Sequence, residues 1–380
     1  MLSRSGKKIT KGAALCPVGC LLVRETFRGV KNAPATGICH LRQGSRSVRV
    51  IVRSPLCAAM KHDITTGIAR AIDEGESYLL ARIRAREWAS YAPVDSRNKW
   101  AEGAGEAFLI TDPVLAVGER MTDEDRRSLI ARLLKSQKRR GTWSYRSAGT
   151  IDADTTASAI RALDCLGHRV PLDGLKSFFI PSTGLYNTFH EAAFSDPDLG
   201  LQLPPQTLKK HRGSHPCVLA NVYLALLGRN ELSCLSDGLL DRLQKPDGTW
   251  WSYFYPSPFY STRLFTELLT SLETDHQSRL RKTFERLLAS SSADSPSQNS
   301  EILISLYCLR RRLPDGPAMA EKIDDHVRQI LAAQTQDGSW PGEVIWEYAA
   351  NPFLIGFDRF RVRSTALCLR ALKLWRAELQ

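Results

Sequence analysis

The sequence predicts an all-α fold, a toroid of about twelve helices with an inner ring enclosed by an outer one. Three observations predict it. Helical periodicity recurs almost everywhere after Met60, whereas strand signals are scarce. The phrase Q-x-x-x-G-x-W occurs three times, at Gln137–Trp143, Gln244–Trp250 and Gln334–Trp340, each time directly after an amphipathic stretch. The copies are spaced by 107 and 90 residues, about twice a helix-loop-helix unit of roughly 50 residues, so each interval has room for one weakened copy.

Taken in order, the apolar spacing predicts helices over about 64–86, 106–118, 123–138, 154–167, 171–179, 216–228, 235–244, 258–273, 277–290, 299–312, 317–334 and 361–378. Gly141, Gly248 and Gly338 stand where a left-handed residue ends a helix, and the Trp two residues later can cover the neighbouring helix pair. The stretch FIPSTGLYNTF, with Gly184 and Tyr186, fits the first gap as a weakened copy; the Ser-rich ASSSADSPSQNS fills the second without Gly or Trp.

Composition is that of a globular chain, with 380 residues, 43% hydrophobic and 24% charged. The net charge of +12 suggests a nucleic-acid partner until it is located. Residues 1–59 hold eleven Lys/Arg against the single acid Glu25, which leaves 41 basic and 39 acidic side chains for everything that follows. No nucleic-acid footprint is expected on so balanced a body. Residues 1–59 lack sustained period and admit three readings: a targeting segment, a disordered basic arm, or upstream sequence translated from a start codon placed too early. The last is favoured because Met60 opens directly onto periodic chain, so residues 60–380 are read as one α/α-barrel domain.

No apolar run approaches the roughly 18 residues that span a bilayer. Cys165, Cys217, Cys234, Cys308 and Cys368 sit mostly on apolar helical faces, as free thiols do in a reducing cytoplasm; Cys16 and Cys20 lack a second pair at zinc spacing. Soluble, cytoplasmic and metal-free is the expectation, with peripheral membrane contact left open. Loops for phosphoryl transfer, a His-Glu-x-x-His helix and a Gly-x-Ser-x-Gly elbow are missing from the sequence, so kinase, zinc-hydrolase and serine-hydrolase chemistry have no support.

The segment IDADTTASAIRAL, residues 151–163, carries the chemistry. Asp152 and Asp154 stand at a helix start, where carboxylates cap backbone N–H groups. Two close carboxyls can also raise one another's pKa, and burial raises it further, which gives an acid still protonated at neutral pH. Capping and acid catalysis both remain open on these residues. WWSYFYPSPFY packs seven aromatics into Trp250–Tyr260, and Trp346, Tyr348 and Phe353 follow in WEYAANPF. Such faces shield and attract a carbocation; the predicted substrate-lining residues are Trp250, Tyr253, Tyr255, Tyr260, Trp346 and Tyr348. For an anionic head group the candidates are Lys209, Lys210 and Arg212, or Lys138, Arg139 and Arg140, each of which also reads as a solvated charge run.

The three Q-x-x-x-G-x-W copies, the Asp-x-Asp-Thr-Thr-Ala segment and the helix count resemble the prenyltransferase and squalene-cyclase repeat superfamily, over roughly Ile68 to Trp375. The resemblance is to the (α/α)6 barrel that forms the β domain of class II terpene cyclases. It implies Asp154 as the general acid that protonates an alkene or epoxide, Asp152 as its assistant, and Thr155 in place of the signature's last aspartate. It also implies cyclisation of a linear isoprenoid such as geranylgeranyl or farnesyl diphosphate, without cofactor or with Mg²⁺ if the substrate is a diphosphate. The Asp, Cys and His that hold zinc in protein prenyltransferases have no counterpart. Class II cyclases usually close the site with an inserted γ domain, for which this chain has no room. That departure motivates two alternatives: a non-catalytic toroid binding a lipid or protein partner, or one subunit of a heteromeric cyclase whose lid comes from another chain.

Overall fold

The computed structural model describes residues 36–43, 46–53, 55–87, 106–144, 151–190, 212–232, 235–290, 295–313, 316–348 and 351–379; side chains of 36–64, 106, 346–355 and 379 are outside that description. The chain divides into two compact units, Met1–Thr65 and Thr66–Gln380.

In the first unit, β1 (Thr36–Gln43) and β2 (Arg46–Arg53) pair as an antiparallel hairpin, with Leu41 opposite Val48 and Gly37 opposite Val52. This corrects the expectation of a segment without period. Val48, Val50 and Val52 recur at every second residue, which is a strand signal set among the arginines.

The second unit is built from helices: α1 (Pro55–Ala85) from Thr66 onward, α2 (Glu106–Leu109), α3 (Thr111–Val117), α4 (Asp123–Ser136), α5 (Ala153–Cys165), α6 (Asp173–Lys176), α7 (Pro216–Leu227), α8 (Asp237–Leu243), α9 (Pro258–Ser271), α10 (Gln277–Ala289), α11 (Pro296–Arg310), α12 (Pro317–Ala332) and α13 (Val362–Leu379). Helices α3, α5, α7, α9, α11 and α13 each pack on the next, and α13 returns to α3, closing a ring of six. Outside it, α4 lies on α5, α10 on α9 and α11, and α12 on α11.

Sequence decides which ring a helix joins. Helix α7, PCVLANVYLALL, is apolar nearly all round and is buried nearly all round. Outer helix α10 buries only the stripe Leu280, Thr283 and Leu287. Inner helices start cleanly: Pro216, Pro258 and Pro296 take the first turn, where a missing N–H costs nothing, and Ser257 and Ser295 cap α9 and α11.

The three repeated loops share one geometry. Lys138 N–H bonds Thr142 C=O at 2.7 Å, Lys245 bonds Thr249 at 2.8 Å and Thr335 bonds Ser339 at 2.8 Å. The closing glycines have φ of 75°, 87° and 82°, a region open to Gly at little cost. Trp143, Trp250 and Trp340 are fully buried. The Trp143 and Trp340 indoles donate to the carbonyls of Leu133 and Ile330, on the helix just finished. Each Trp backbone N–H donates to a threonine of the following inner helix: Thr156 at 3.0 Å, Thr262 at 3.2 Å and Thr365 at 3.2 Å. Gln244 and Gln334 clamp the loop from the other side, bridging the glycine carbonyl to Arg279 and to Ala71.

Three local expectations are revised. The predicted helix over 106–118 breaks at Ile110, because Pro113 has no N–H for the carbonyl four residues back. The predicted helix over 171–179 is the single turn α6, followed by a hairpin, β3 (Phe179–Ile180) with β4 (Leu185–Tyr186), turned by Gly184 at φ 69°. That hairpin stands where the first weakened copy is expected; the centre of the second, 291–294, is outside the described residues. Aromatic, β-branched residues after the third loop form β5 (Val344–Tyr348) and β6 (Asn351–Phe357). Among the described residues no helix is long and apolar enough to cross a membrane.

Candidate active site

The shared loop geometry sets the three inner helices that follow it in register. Two residues before the Trp-binding threonines Thr156, Thr262 and Thr365 stand Asp154, Tyr260 and Arg363, in the first turns of α5, α9 and α13. Seven residues further along each helix come Arg161, Glu267 and Arg370. Two turns of helix return a side chain to the same face, so the ring carries two tiers of functional side chains along its interior.

The deeper tier is a charged network. Arg370 bonds Asp112 at 2.5 Å and Glu267 at 3.1 Å, Arg263 bonds Glu267 at 3.0 Å, and Arg161 approaches Glu267 at 3.8 Å. Burial works against ionisation of Asp112 and Glu267, yet the arginines around them prevail and hold both carboxyls below the usual range. Glu301, on α11, pairs with Arg363 at 3.0 Å and accepts from Ser257 at 2.7 Å; there burial prevails and its carboxyl is raised.

Asp154 is 4% exposed. Its Oδ2 accepts from the Tyr255 hydroxyl at 2.7 Å and its Oδ1 from Asn221 Nδ2 at 2.8 Å. The same Nδ2 reaches Ser158 at 2.8 Å, while Asn221 Oδ1 accepts from Arg161 at 2.6 Å. That arginine fixes which way the amide faces, because the reverse would set two donors against each other. Burial pushes the Asp154 carboxyl above its ordinary value; the two hydrogen bonds and the fields of Arg161 and Arg363 offset this only in part. Burial likewise holds the Tyr255 and Tyr260 hydroxyls well above 10, and Cys217, close by, at about 12.

Asp152, two residues away, does different work. It is the N-cap of α5, its side chain accepting from Thr155 N–H at 2.7 Å. The two aspartates of the sequence motif thus divide the roles that residue type alone left open, one capping and one turned inward. Burial, rather than a second carboxylate, is the leading cause of the raised Asp154 pKa.

Two cavities meet at the stacked pair Tyr255 and Tyr260, whose ring centres are 3.5 Å apart. One, of about 20 Å³, includes Phe108, Tyr255, Tyr260 and Leu264 beside Asp112, Arg161 and Arg263. The other, also about 20 Å³, includes Ser257, Gln298, Glu301 and Ile345. Arg363 borders both. Asp154 is set one side chain behind the first cavity, screened from it by Asn221 and Tyr255.

Of the aromatic residues expected to line a site, Tyr255 and Tyr260 do so. Trp250 instead packs on Phe265, ring centres 4.2 Å apart, and reaches Thr283, sealing a helix pair as its place in the repeat dictates. Tyr253 is half-buried against His215, 4.1 Å between ring centres, away from both cavities. Trp346 and Tyr348 lie on β5 with side chains outside the described residues, as are Lys209 and Lys210. Lys138, Arg139, Arg140 and Arg212 are exposed. The cations beside the cavity are Arg161, Arg263 and Arg363, which the linear sequence did not single out; the register of Asp154-Thr-Thr, Tyr260-Ser-Thr and Arg363-Ser-Thr is the signal that finds the last of them.

The sequence matches no protein-family model and no curated relative. Solved structures do match. A variant of the type II terpene cyclase MstE from Scytonema, in complex with its substrate geranylgeranyl dihydroxybenzoate, superposes with a TM-score of 0.68 at 17% identity over 84% of this chain and 100% of that one. The ent-copalyl diphosphate synthase of Streptomyces platensis gives 0.50 at 20% identity, over 70% of this chain and 49% of that one. Candida albicans protein geranylgeranyltransferase-I, complexed with GGPP, gives 0.50 at 11% over 81% and 92%. The chain shares its fold with these cyclase and prenyltransferase structures.

Proposed function

We propose that this protein is a class II terpene cyclase in which Asp154 supplies the proton that starts cyclisation of a linear isoprenoid, a prenyl diphosphate such as geranylgeranyl or farnesyl diphosphate being the first candidate. One observation carries the reading: a buried carboxyl whose pKa is raised sits at the first turn of an inner helix, behind an aromatic-lined cavity, in a barrel that matches a type II terpene cyclase along that cyclase's whole length. The full coverage of MstE supports a single barrel as sufficient, without an inserted lid domain.

Protonating an alkene needs an acid that is neutral at working pH and shielded from water; burial shields Asp154 and moves its carboxyl towards the neutral form. Once the proton has left, the carboxylate is held by the Asn221 amide, the Tyr255 hydroxyl and the fields of Arg161 and Arg363. Charge developing on the acid is thus met by dipoles already in place. Phe108 and Tyr255 border the cavity and offer a cation electron density without a nucleophile, worth about 0.5–2 kcal/mol for each well-placed ring, while the Tyr260 ring already carries Arg263 and Arg363 over it. Among the described residues no group of three His, Cys, Asp or Glu could hold a metal, and Asp112, Glu267 and Glu301 already face arginines.

The test is incubation of the purified protein with a panel of prenyl diphosphates and geranylgeranyl dihydroxybenzoate, followed by mass-resolved chromatography. A cyclised isomer of unchanged mass, absent with Asp154→Asn, is the expected result; equal cyclisation by that variant would refute the assignment of the acid.

A further inference from the structure

Cyclisation to an isomer of unchanged mass ends with the loss of a proton from the last cation, and in a site shielded from water a base must stand there to take it. Among the described residues that border the two cavities there is no histidine, and the carboxyls are Asp112, Glu301 and Glu343. Asp112 accepts from Arg370 at 2.5 Å and from Arg263 at 3.4 Å. Burial works against its charge, yet those cations hold it below the usual range, which makes it a poor proton acceptor. Glu343, half-buried, is occupied at the first turn of α11, where it accepts from the Ser297 N–H at 3.0 Å. Glu301 is 1% exposed and bonds one guanidinium, that of Arg363, at 3.0 Å and the Ser257 hydroxyl at 2.7 Å. Burial prevails over both and leaves its carboxylate more basic than an ordinary glutamate.

We infer that Glu301 is the base that ends the reaction, taking a proton from a carbon beside the last cation at the second cavity. The inference rests on the cyclase reading and adds to it the residue that decides which alkene is released. A C–H bond next to the cationic carbon breaks, its electron pair becomes the new C=C bond, and the proton joins a lone pair of a Glu301 oxygen. No charge is left over: Asp154 begins neutral and ends as the carboxylate, while Glu301 begins as the carboxylate and ends neutral. Exchange with solvent resets both between turnovers. Arg363 suits this exchange, since it borders both cavities and its field favours the ionised form of either acid. It also sets the starting state. Glu301 has the guanidinium in direct contact, whereas Asp154 is bonded by the neutral donors Asn221 and Tyr255, so of the two Glu301 is the one that ionises. The acid lies behind one cavity and the base in the wall of the other, and the stacked Tyr255 and Tyr260 border both.

The experiment follows wild type, Glu301→Gln and Glu301→Asp on geranylgeranyl diphosphate and on geranylgeranyl dihydroxybenzoate, with substrate consumed and each product formed read separately by mass-resolved chromatography. Glu301→Gln keeps the acid, so it should still consume substrate while forming the wild-type alkene about 10²-fold more slowly or worse. Other alkene isomers, or a heavier water adduct, should take that alkene's place. Glu301→Asp keeps a charge for Arg363 but draws the oxygens back from the cavity, and should divert product in the same way to a smaller extent; it carries the test if the glutamine variant does not fold. A folded Glu301→Gln that forms the wild-type alkene within about tenfold of the wild-type rate overturns the base, as does a folded Glu301→Asp with wild-type product composition; in both cases Asp154 stands as the acid. A folded Glu301→Gln that consumes no substrate also overturns it, because that puts Glu301 in the first step and not the last. A wild type that makes no cyclic product overturns the cyclase reading and this one together.

Discussion

Replacing Asp154 separates its part in stability from its part in chemistry. In Asp154→Asn the amide oxygen can still accept from Asn221, and the new amine faces the Tyr255 oxygen, which can accept once its own hydrogen turns away. In Asp154→Ala the Tyr255 hydroxyl loses its carboxylate acceptor in a buried site and keeps Tyr260, while the Asn221 amide nitrogen keeps Ser158 and the Asp154 backbone carbonyl. A buried polar group that loses its partner costs about 1–3 kcal/mol, and most of the loss falls on Tyr255, so Asp154→Ala should lose about 2–3 kcal/mol and Asp154→Asn less than about 1. The pH dependence has a definite sign. Burial raises the folded carboxyl above its ordinary 3.8, so the unfolded chain releases its proton first. Stability is full below that range and erodes as pH rises towards the folded pKa. Asp154→Asn lacks this erosion and should gain on wild type as pH rises above about 4. Urea denaturation at several pH values reads both effects. The reasoning fails if the asparagine variant is as unstable as the alanine variant, or if wild type gains on it as pH rises.

Buried His326 should behave in the opposite sense. Burial lowers it from 6.5 to about 4, so wild type should lose up to about 3 kcal/mol on acidification through that window and His326→Gln should not, by thermal melts at matched pH. Gly248→Ala and Gly141→Ala share a positive φ, which costs about 1–2 kcal/mol. Only the first drives a Cβ to 2.3 Å from the Lys282 carbonyl oxygen, whereas the second meets nothing nearer than 3.5 Å, so Gly248→Ala should be the more damaging by at least about 1–3 kcal/mol in urea titrations. Thr262→Val and Thr365→Val each strand the backbone N–H of a buried Trp; equal losses of about 1–3 kcal/mol are expected, and a silent substitution at either would disprove the common loop geometry.

Much of this architecture is written locally. Glycine and Trp at fixed spacing announce the loops, because a left-handed turn and a large buried ring leave little choice of residue. Apolar stripes announce most helices within a few residues. The site is less legible. Asp154 stood out by type and position, but Asn221, Arg263 and Glu301 come to the cavities from three other helices by ring closure, Arg161 lies two turns along Asp154's own helix, and nothing in their own neighbourhoods marks them. Trp250 shows the converse error: an aromatic run reads as a cavity lining, while the repeat register assigns that residue to a helix seam. The hairpin β5–β6 is harder to read, because its aromatic residues have both strand propensity and faces that suit a cation.

The most direct test of the account is cyclisation by wild type and by a folded Asp154→Asn on geranylgeranyl diphosphate, farnesyl diphosphate, squalene and geranylgeranyl dihydroxybenzoate, with Mg²⁺ present for the diphosphates. The account predicts a cyclic isomer from wild type that the variant does not make. A cyclic product formed equally by both, or formed by neither from any of these substrates, would contradict it.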